Sequence, residues 1–296
     1  MLLPFYSLTA LTSLCFVPVA LGNTSATGKD TRDVSDPEPN RWAEEGVAFE
    51  STNTSLQNEA EGFATDGFSW YLPTNTDGNK AIYKVDARGR ILDSAKLPFQ
   101  DGHTGSASVY RGWLYVPIQR PFGVWKASTD NFATNEWHPI NTTDSILPWT
   151  AINPLNGRLY TARQDIQNDT SRIMYAFDRD SFARVPEDDI VLGPTPMTLA
   201  NLQGAVFTDK GHLILVTSSL RAFPYANYLF AFSAKTGHCF GMKSLGDYGS
   251  PGSQTQSVAV RPWTFGSKIA LLHVLQLRED LNFSVHSYSV PHPESL

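Results

Sequence analysis

The sequence predicts an all-β chain folded as a β-propeller, and three observations predict it. A strand pair of one type recurs five times at a near-constant interval. Between copies the chain runs in short apolar or alternating stretches bounded by glycine, asparagine, aspartate and proline, as strands joined by turns do. No helix-period stretch is long enough to cover a sheet.

Each copy opens on a run of polar and small residues, passes a glycine-bearing turn and enters an aromatic or aliphatic run. The copies are EGFATDGFSWYLP (61–73), HTGSASVYRGWLYVPIQ (103–119), WTAINPLNGRLYTAR (149–163), QGAVFTDKGHLILVTS (203–218) and QSVAVRPWTFGSKIALLHV (256–274). Their starts lie 42, 46, 54 and 53 residues apart, which is the spacing of propeller blades. Third and fourth strands follow most pairs: KAIYKVD (80–86) and ILDSAKL (91–97), FGVWKAS (122–128) and EWHPI (136–140), RIMYAFD (172–178) alone, then NYLFAFS (227–233) and CFGMKSL (239–245). The last copy has only NFSVHSYSV (282–290) after it, so its outer strand is missing. The segment GVAFE (46–50) is expected to supply that strand, closing the ring from the amino-terminal side and covering an open edge. Five blades are favoured; six require residues 42–56 and 179–202 to hide a divergent copy. A β-sandwich also offers many short strands, but a recurring strand-turn-strand signature is less expected there.

Residues 1–22 carry no charged side chain and end in Ala20 and Gly22, which reads as a secretory signal peptide, with a signal anchor as its rival. A polar, proline-containing leader occupies 23–41, and 42–296 form one domain. Asn23, Asn53, Asn141, Asn168 and Asn282 each begin an Asn-x-Ser/Thr sequon, and with an export signal they predict N-linked glycans and a secreted or vesicular protein. Cys15 falls within the signal, leaving Cys239 without a disulfide partner and the fold dependent on packing. A net charge of −6 with no basic stripe argues against nucleic acid as a partner. No apolar run after the signal is long enough for a membrane span, so stable membrane insertion is not expected.

In a propeller the first strand of each blade lines the axis. The copy starts then bring Glu61, His103, Trp149, Gln203 and Gln256 to one ring, although a one-residue slip would turn some of them into a sheet. An imidazole and a carboxylate can move a proton, and two amides can hold carbonyl or hydroxyl oxygens. Trp149 and Trp263, with Phe223 and Tyr225 of the loop RAFPYANY (221–228), are candidates for an apolar wall around a hydrophobic small molecule. The remaining recurrent aromatics, among them Tyr71, Tyr115, Tyr160 and Phe230, read as blade-to-blade packing. Polar residues at an axis also serve simply to bind water and cap strand ends. The seven histidines form no ligand motif, no metal or organic cofactor is implied, and there is no GxSxG elbow, phosphate loop or dinucleotide fingerprint.

The stretches QGAVFTDKGHLILV and HTGSASVYRGWLYVP resemble those of secreted propellers of the NHL, quinoprotein and lactonase type. Together with the signal, the sequons and the scarcity of charged catalytic residues, the chain is similar in character to the hetero-Diels–Alderases of fungal tropolone-sesquiterpenoid pathways. That resemblance implies an enzyme needing neither metal nor nucleotide, which joins a tropolone-derived ortho-quinone methide to a humulene-type sesquiterpene. It implies hydrogen bonds from His103, Gln203 or Gln256 to tropolone oxygens, and Trp149, Phe223 and Tyr225 packed against the reacting π systems. Two other classes stay open. A lectin-like binding module is disfavoured by the unlike blade starts, and a lactonase or other hydrolase requires calcium at Glu61 and a channel amide.

Overall fold

The computed structural model describes residues 43–50, 60–76, 78–140, 147–163, 172–197, 199–218, 227–246, 254–261, 269–277 and 283–291, all within the unit Asn40–Leu296. They form five four-stranded antiparallel sheets. The first strand, β1 (Ala43–Glu50), stands apart from those that follow it in sequence. Blade one contains β2 (Ala64–Thr65), β3 (Trp70–Thr74), β4 (Ala81–Val85) and β5 (Ile91–Lys96). Blade two contains β6 (Ser108–Tyr110), β7 (Trp113–Gln119), β8 (Phe122–Ser128) and β9 (Asn135–Pro139), and blade three β10 (Ala151–Ile152), β11 (Arg158–Ala162), β12 (Ile173–Asp178) and β13 (Ile190–Val191). Blade four is β14 (Leu202–Phe207), β15 (His212–Thr217), β16 (Tyr228–Ser233) and β17 (Cys239–Ser244). In blade five, β18 (Gln254–Val260), β19 (Ile269–Leu277) and β20 (Phe283–Pro291) are joined by β1, which pairs antiparallel with β20 from Ala43 opposite Ser289 to Glu50 opposite Ser284.

The meanders follow from local chemistry. Arg111 and Gly112 both take positive φ, 49° and 79°, as a two-residue hairpin matched to strand twist requires, and they turn β6 directly into β7. The innermost strands then touch in cyclic order, β2 to β6, β6 to β10, β10 to β14, β14 to β18, and β18 back to β2. Packing between sheets closes the same circle. One apolar cluster fills each of the five interfaces: blades one and two share Ile82, Leu114 and Trp125, two and three Tyr115, Leu159 and Phe177, three and four Tyr160, Leu213 and Phe230, four and five Ile214, Val258 and Tyr288, and five and one Leu275, Phe283 and Leu72. The chain is therefore a five-bladed β-propeller. Before β14 opens at Leu202, the described residues of the interval 179–202 hold one 3-10 turn, Pro186–Asp188, and the short β13, both belonging to blade three. Among the described residues no helix is long and apolar enough to cross a membrane.

At the axis the inner strands approach until only small residues fit. A Cβ on Gly62 would lie 2.5 Å from the Ser106 Cα, one on Gly204 would lie 2.8 Å from the Ser257 Cα, and one on Gly105 would overlap the Pro148 carbonyl oxygen. Ser106 and Ser257, both fully buried, share a 2.5 Å hydrogen bond between their hydroxyls, and Ser257 Oγ also lies 3.1 Å from the Phe63 carbonyl, to which it donates. Blades two and five, which are not neighbours in the ring, are tied across its centre by this contact. Because the clashing atoms at Gly62 and Gly204 are backbone, a side chain there has to push whole blades apart. Gly204→Val is expected to cost about 2 kcal/mol or more, read as a lower urea midpoint with an unchanged slope.

Candidate functional site

At the axis each inner strand is longer than its partner where the sequence copies begin, by one residue in blades one, two, four and five. Register shifts fall between Leu202 and Gly204 and between Thr255 and Ser257, which makes Gln203 and Gln256 the added residues. In blade one, Ala60 pairs with Thr74 and Ala64 with Tyr71; in blade two, Thr104 pairs with Ile118 and Ser108 with Tyr115, again one residue more on the inner strand. In blade three, Leu147 N–H donates to the Ala162 carbonyl while Ala151 pairs with Tyr160, so there the inner strand runs two residues longer than its partner. Such β-bulges re-aim side chains and interrupt pairing. The parallel bridge between Ser106 and Trp149 shows neighbouring inner strands running the same way. With consecutive Cα atoms about 3.8 Å apart, Glu61, Gln203 and Gln256, which precede Gly62, Gly204 and Ser257, therefore come to one end of the axis.

Glu61 and His103 meet there. His103 Nε2 lies 3.8 Å from Glu61 Oε1, close enough for charge to be felt and too long for a direct hydrogen bond. The Glu61 side chain is 6% exposed and that of His103 40%. His103 belongs two residues before Gly105, and its carbonyl accepts the Gln119 N–H at 2.8 Å. Asn75 fixes the next residue by accepting the Thr104 N–H at 2.9 Å and donating to the Thr104 carbonyl at 3.2 Å, so a side-chain amide of blade one substitutes for a strand partner in blade two. Lys80 is buried beside them and reaches the Asn75 carbonyl with Nζ at 3.4 Å. Gln100 holds its backbone on both sides, accepting the Lys80 N–H and donating to the Lys80 carbonyl.

Electrostatics keep the imidazole uncharged. Burial, followed by the positive charges of Lys80 and Arg120, pushes the His103 pKa down to about 4. These effects outweigh the hydrogen bond with the Thr104 backbone, which favours the charged ring, because an imidazolium would have to lose water beside two cations. His103 Nδ1 is buried without a partner. A neutral ring with an open nitrogen, a buried carboxylate and a buried ammonium form a set able to accept, donate and relay a proton.

The two glutamines differ. Gln203 is half-buried and donates to Asn201 Oδ1 at 3.0 Å, while Asn201, held at φ +51°, donates to the Ser218 carbonyl. Gln256 is buried and donates to Gln254 Oε1 at 3.0 Å. Trp149 lies elsewhere. Its indole is completely buried in the cluster between blades three and four, among Tyr160 and Leu202, and presents no face to a ligand. Its position at a copy start reflects packing. Phe223, Tyr225 and Trp263, and the sequon residues Asn23, Asn53, Asn141, Asn168 and Asn282, lie outside the described residues. Cys239 is half-buried against the blade three and four cluster, and burial raises its thiol pKa, which leaves it a poor nucleophile. Among the described residues no group of three or more His, Cys, Asp or Glu side chains is arranged to hold a metal ion. Sequence reading missed Lys80 and Asn75, whose signal was a polar turn, PTNTDGNK (73–80), of the kind ordinarily left in water.

No protein-family profile and no curated protein sequence matches the chain. Solved structures do. The tail fibre of Staphylococcus aureus phage P68 is similar at TM-score 0.54 and 12% identity, over 84% of this chain and 53% of that one. The hydrazine synthase of Kuenenia stuttgartiensis is similar at TM-score 0.45 and 12% identity, over 75% and 57%. A catalytically inactive virginiamycin B lyase from Staphylococcus aureus, solved with quinupristin, gives TM-score 0.45 and 6% identity, over 83% and 99%. The likeness is one of fold. The chain spans little more than half the length of the tail fibre and the hydrazine synthase.

A second buried histidine shares the electrostatic state of the first. His273 bonds through Nδ1 to the Ser287 hydroxyl at 2.9 Å, meets the Trp70 ring edge-on, and has its pKa lowered to about 4, first by burial and then by Arg261. Both native histidines therefore bind fewer protons than unfolded ones between about pH 6.5 and pH 4. The sign follows from linkage: stability present above pH 6.5 is lost as pH falls toward 4 and levels off below it. Midpoints of urea unfolding measured from pH 7.5 to 4 are expected to fall through that window, with a shallower fall in His273→Gln.

Proposed function

We propose that this propeller handles a small oxygenated organic molecule at the end of the axis where Glu61 and His103 face each other, and that the reaction is an intermolecular hetero-Diels–Alder addition. The observation that carries the reading is the Glu61 to His103 pair, with a neutral imidazole kept 3.8 Å from a buried carboxylate. A repeated sugar site would place like groups in every blade, whereas here blade one brings a carboxylate, blade two an imidazole and blades four and five a glutamine each. The cycloaddition itself comes from the family resemblance, and the site supplies chemistry it needs.

The diene is an ortho-quinone methide formed from a hydroxymethyl tropolone. The Glu61 carboxylate takes the ring hydroxyl proton and returns it to the departing hydroxymethyl oxygen, so that water leaves as the ring C=O and the exocyclic C=C form. His103 donates its N–H to the ring oxygen and lowers the heterodiene's vacant orbital. Addition to a terpene double bond then makes one C–O and one C–C bond with no further proton or electron transfer. Holding both partners in reactive contact removes much of the entropic barrier, and the side of approach sets the stereochemistry.

Purified protein incubated with humulenol and a quinone-methide precursor is expected to give one enantiomer in excess. Glu61→Gln and His103→Ala are each expected to slow product formation about 100-fold. Racemic product at the enzyme-free rate, from a protein of unchanged melting temperature, defeats the reading.

A further inference from the structure

Three polar atoms without partners lie at one level of blade five. Thr255 Oγ1, Gln256 Oε1 and Gln276 Nε2 are all buried, and among the described residues none has a hydrogen-bond partner. Thr255 is opposite Gln276 across β18 and β19, and Gln256 is the residue the bulge adds directly after Thr255. Gln256 and Gln276 are each 2% exposed and Thr255 is fully buried. Buried groups of this kind are ordinarily satisfied, and each left open costs about 1–3 kcal/mol.

The neighbours show why these ends stay open. Gln256 spends its Nε2 on Gln254 Oε1 at 3.0 Å. Gln276 Oε1 lies 3.4 Å from Ser284 Oγ and 3.2 Å from His286 Nε2, which themselves sit 3.0 Å apart. With Oε1 as the acceptor, Ser284 and His286 both donate to it and Nε2 is left over. Turned about, Nε2 donates to both and Oε1 is left over. Either orientation leaves one end of the Gln276 amide unmatched, so the opening does not depend on how the amide is assigned. The same network shows that Ser284 is no nucleophile: its hydroxyl is fully buried, and with Oε1 facing the pair the His286 Nε2 proton is already committed to Gln276.

We propose that Thr255, Gln256 and Gln276 form a subsite for an uncharged hydroxyl of the bound molecule, and that it selects an alcohol over the corresponding hydrocarbon. One hydroxyl is both donor and acceptor, and so answers an open acceptor and an open donor together. The three groups are neutral, and a charged oxygen would be poorly compensated among amides. This contrasts with blades one and two, where Glu61, Lys80 and His103 meet. The subsite rests on the reading of the axial end as a small-molecule site. It adds that the terpene partner is held by its hydroxyl on blade five while the tropolone meets the acid and base of blades one and two.

The probes are humulenol and humulene, which differ by one hydroxyl. Binding to the whole protein is measured by calorimetry, apart from any turnover. The wild type is expected to bind the alcohol at least about 10-fold more tightly, because a site built to pair a hydroxyl rejects the analogue that lacks it. Gln276→Leu and the near-isosteric Thr255→Val are expected to bring the ratio to within about 2-fold by weakening alcohol binding while leaving hydrocarbon binding unchanged or improved. Thr255→Val serves as the readout should Gln276→Leu fail to fold. Equal binding of the two probes by the wild type, no binding of the alcohol, or full selectivity retained in the variants overturns the subsite; equal binding would mean that the three atoms hold ordered water alone. Alcohol selectivity without cycloaddition removes the reaction and leaves the subsite standing, and cycloaddition without selectivity does the reverse.

Discussion

The closeness of the five inner strands at the axis governs the molecule. Gly62, Gly105 and Gly204 meet neighbouring backbone where a Cβ would intrude, and Ser106 and Ser257 use the little space left to bond each other. Strands this close cannot lie flat with respect to their own blades, and each inner strand takes up the difference with extra length, one residue in blades one, two, four and five. The bulges that relieve the crossing are the ones that bring Gln203 and Gln256 to the axis, with Glu61 arriving beside the equivalent bulge of blade one. Packing and chemistry thus share one cause, since the crowding that excludes large side chains from the centre assembles polar ones at its end.

The resulting end of the axis is unequal from side to side. Blades one and two bring a carboxylate, an ammonium and an imidazole kept neutral by burial and cations. Blades four and five bring, among the described residues, the amides of Gln203 and Gln256. On the function proposed, this division is what would orient a ligand with an acidic enol at one end and a neutral oxygen at the other. On the amide side the division follows from the residues the bulges add, Gln203 and Gln256, and on the charged side from Glu61, from His103 and from Lys80 of the turn before β4.

Most of the architecture was legible in the sequence because the blades repeat. The five copies, their spacing and most third and fourth strands correspond to the sheets described, and β1 extends the expected 46–50 segment to Ala43–Glu50. The fourth strand of blade three was not readable. At two residues, Ile190–Val191, behind the charged stretch DRD and EDD, it has no room for an alternating pattern. The site was legible in part. Glu61 and His103 were placed together on register alone, although the bulges make His103 arrive from two residues before its nominal position. Trp149 follows the same sequence rule and ends inside a blade interface, because a bulge changes which way a strand-opening residue faces. Lys80, Asn75 and Gln276 were out of reach: two lie in or beside a polar turn and one near the end of an apolar strand, and only the fold shows what they meet.

The pairing of β1 with β20 bears on how the molecule is made. Ala43 is among the earliest residues of this body to leave the ribosome, and its partner Ser289 is among the last. Blades one to four consist of contiguous chain and can assemble as they emerge, but the fifth must wait for a strand synthesised more than two hundred residues earlier to return. Until it does, β20 presents an unpaired edge to every other unfinished copy nearby. Completion of the ring thereby rests on the pairing most distant in sequence, and a chain interrupted before β20 leaves its first strand with nothing to join.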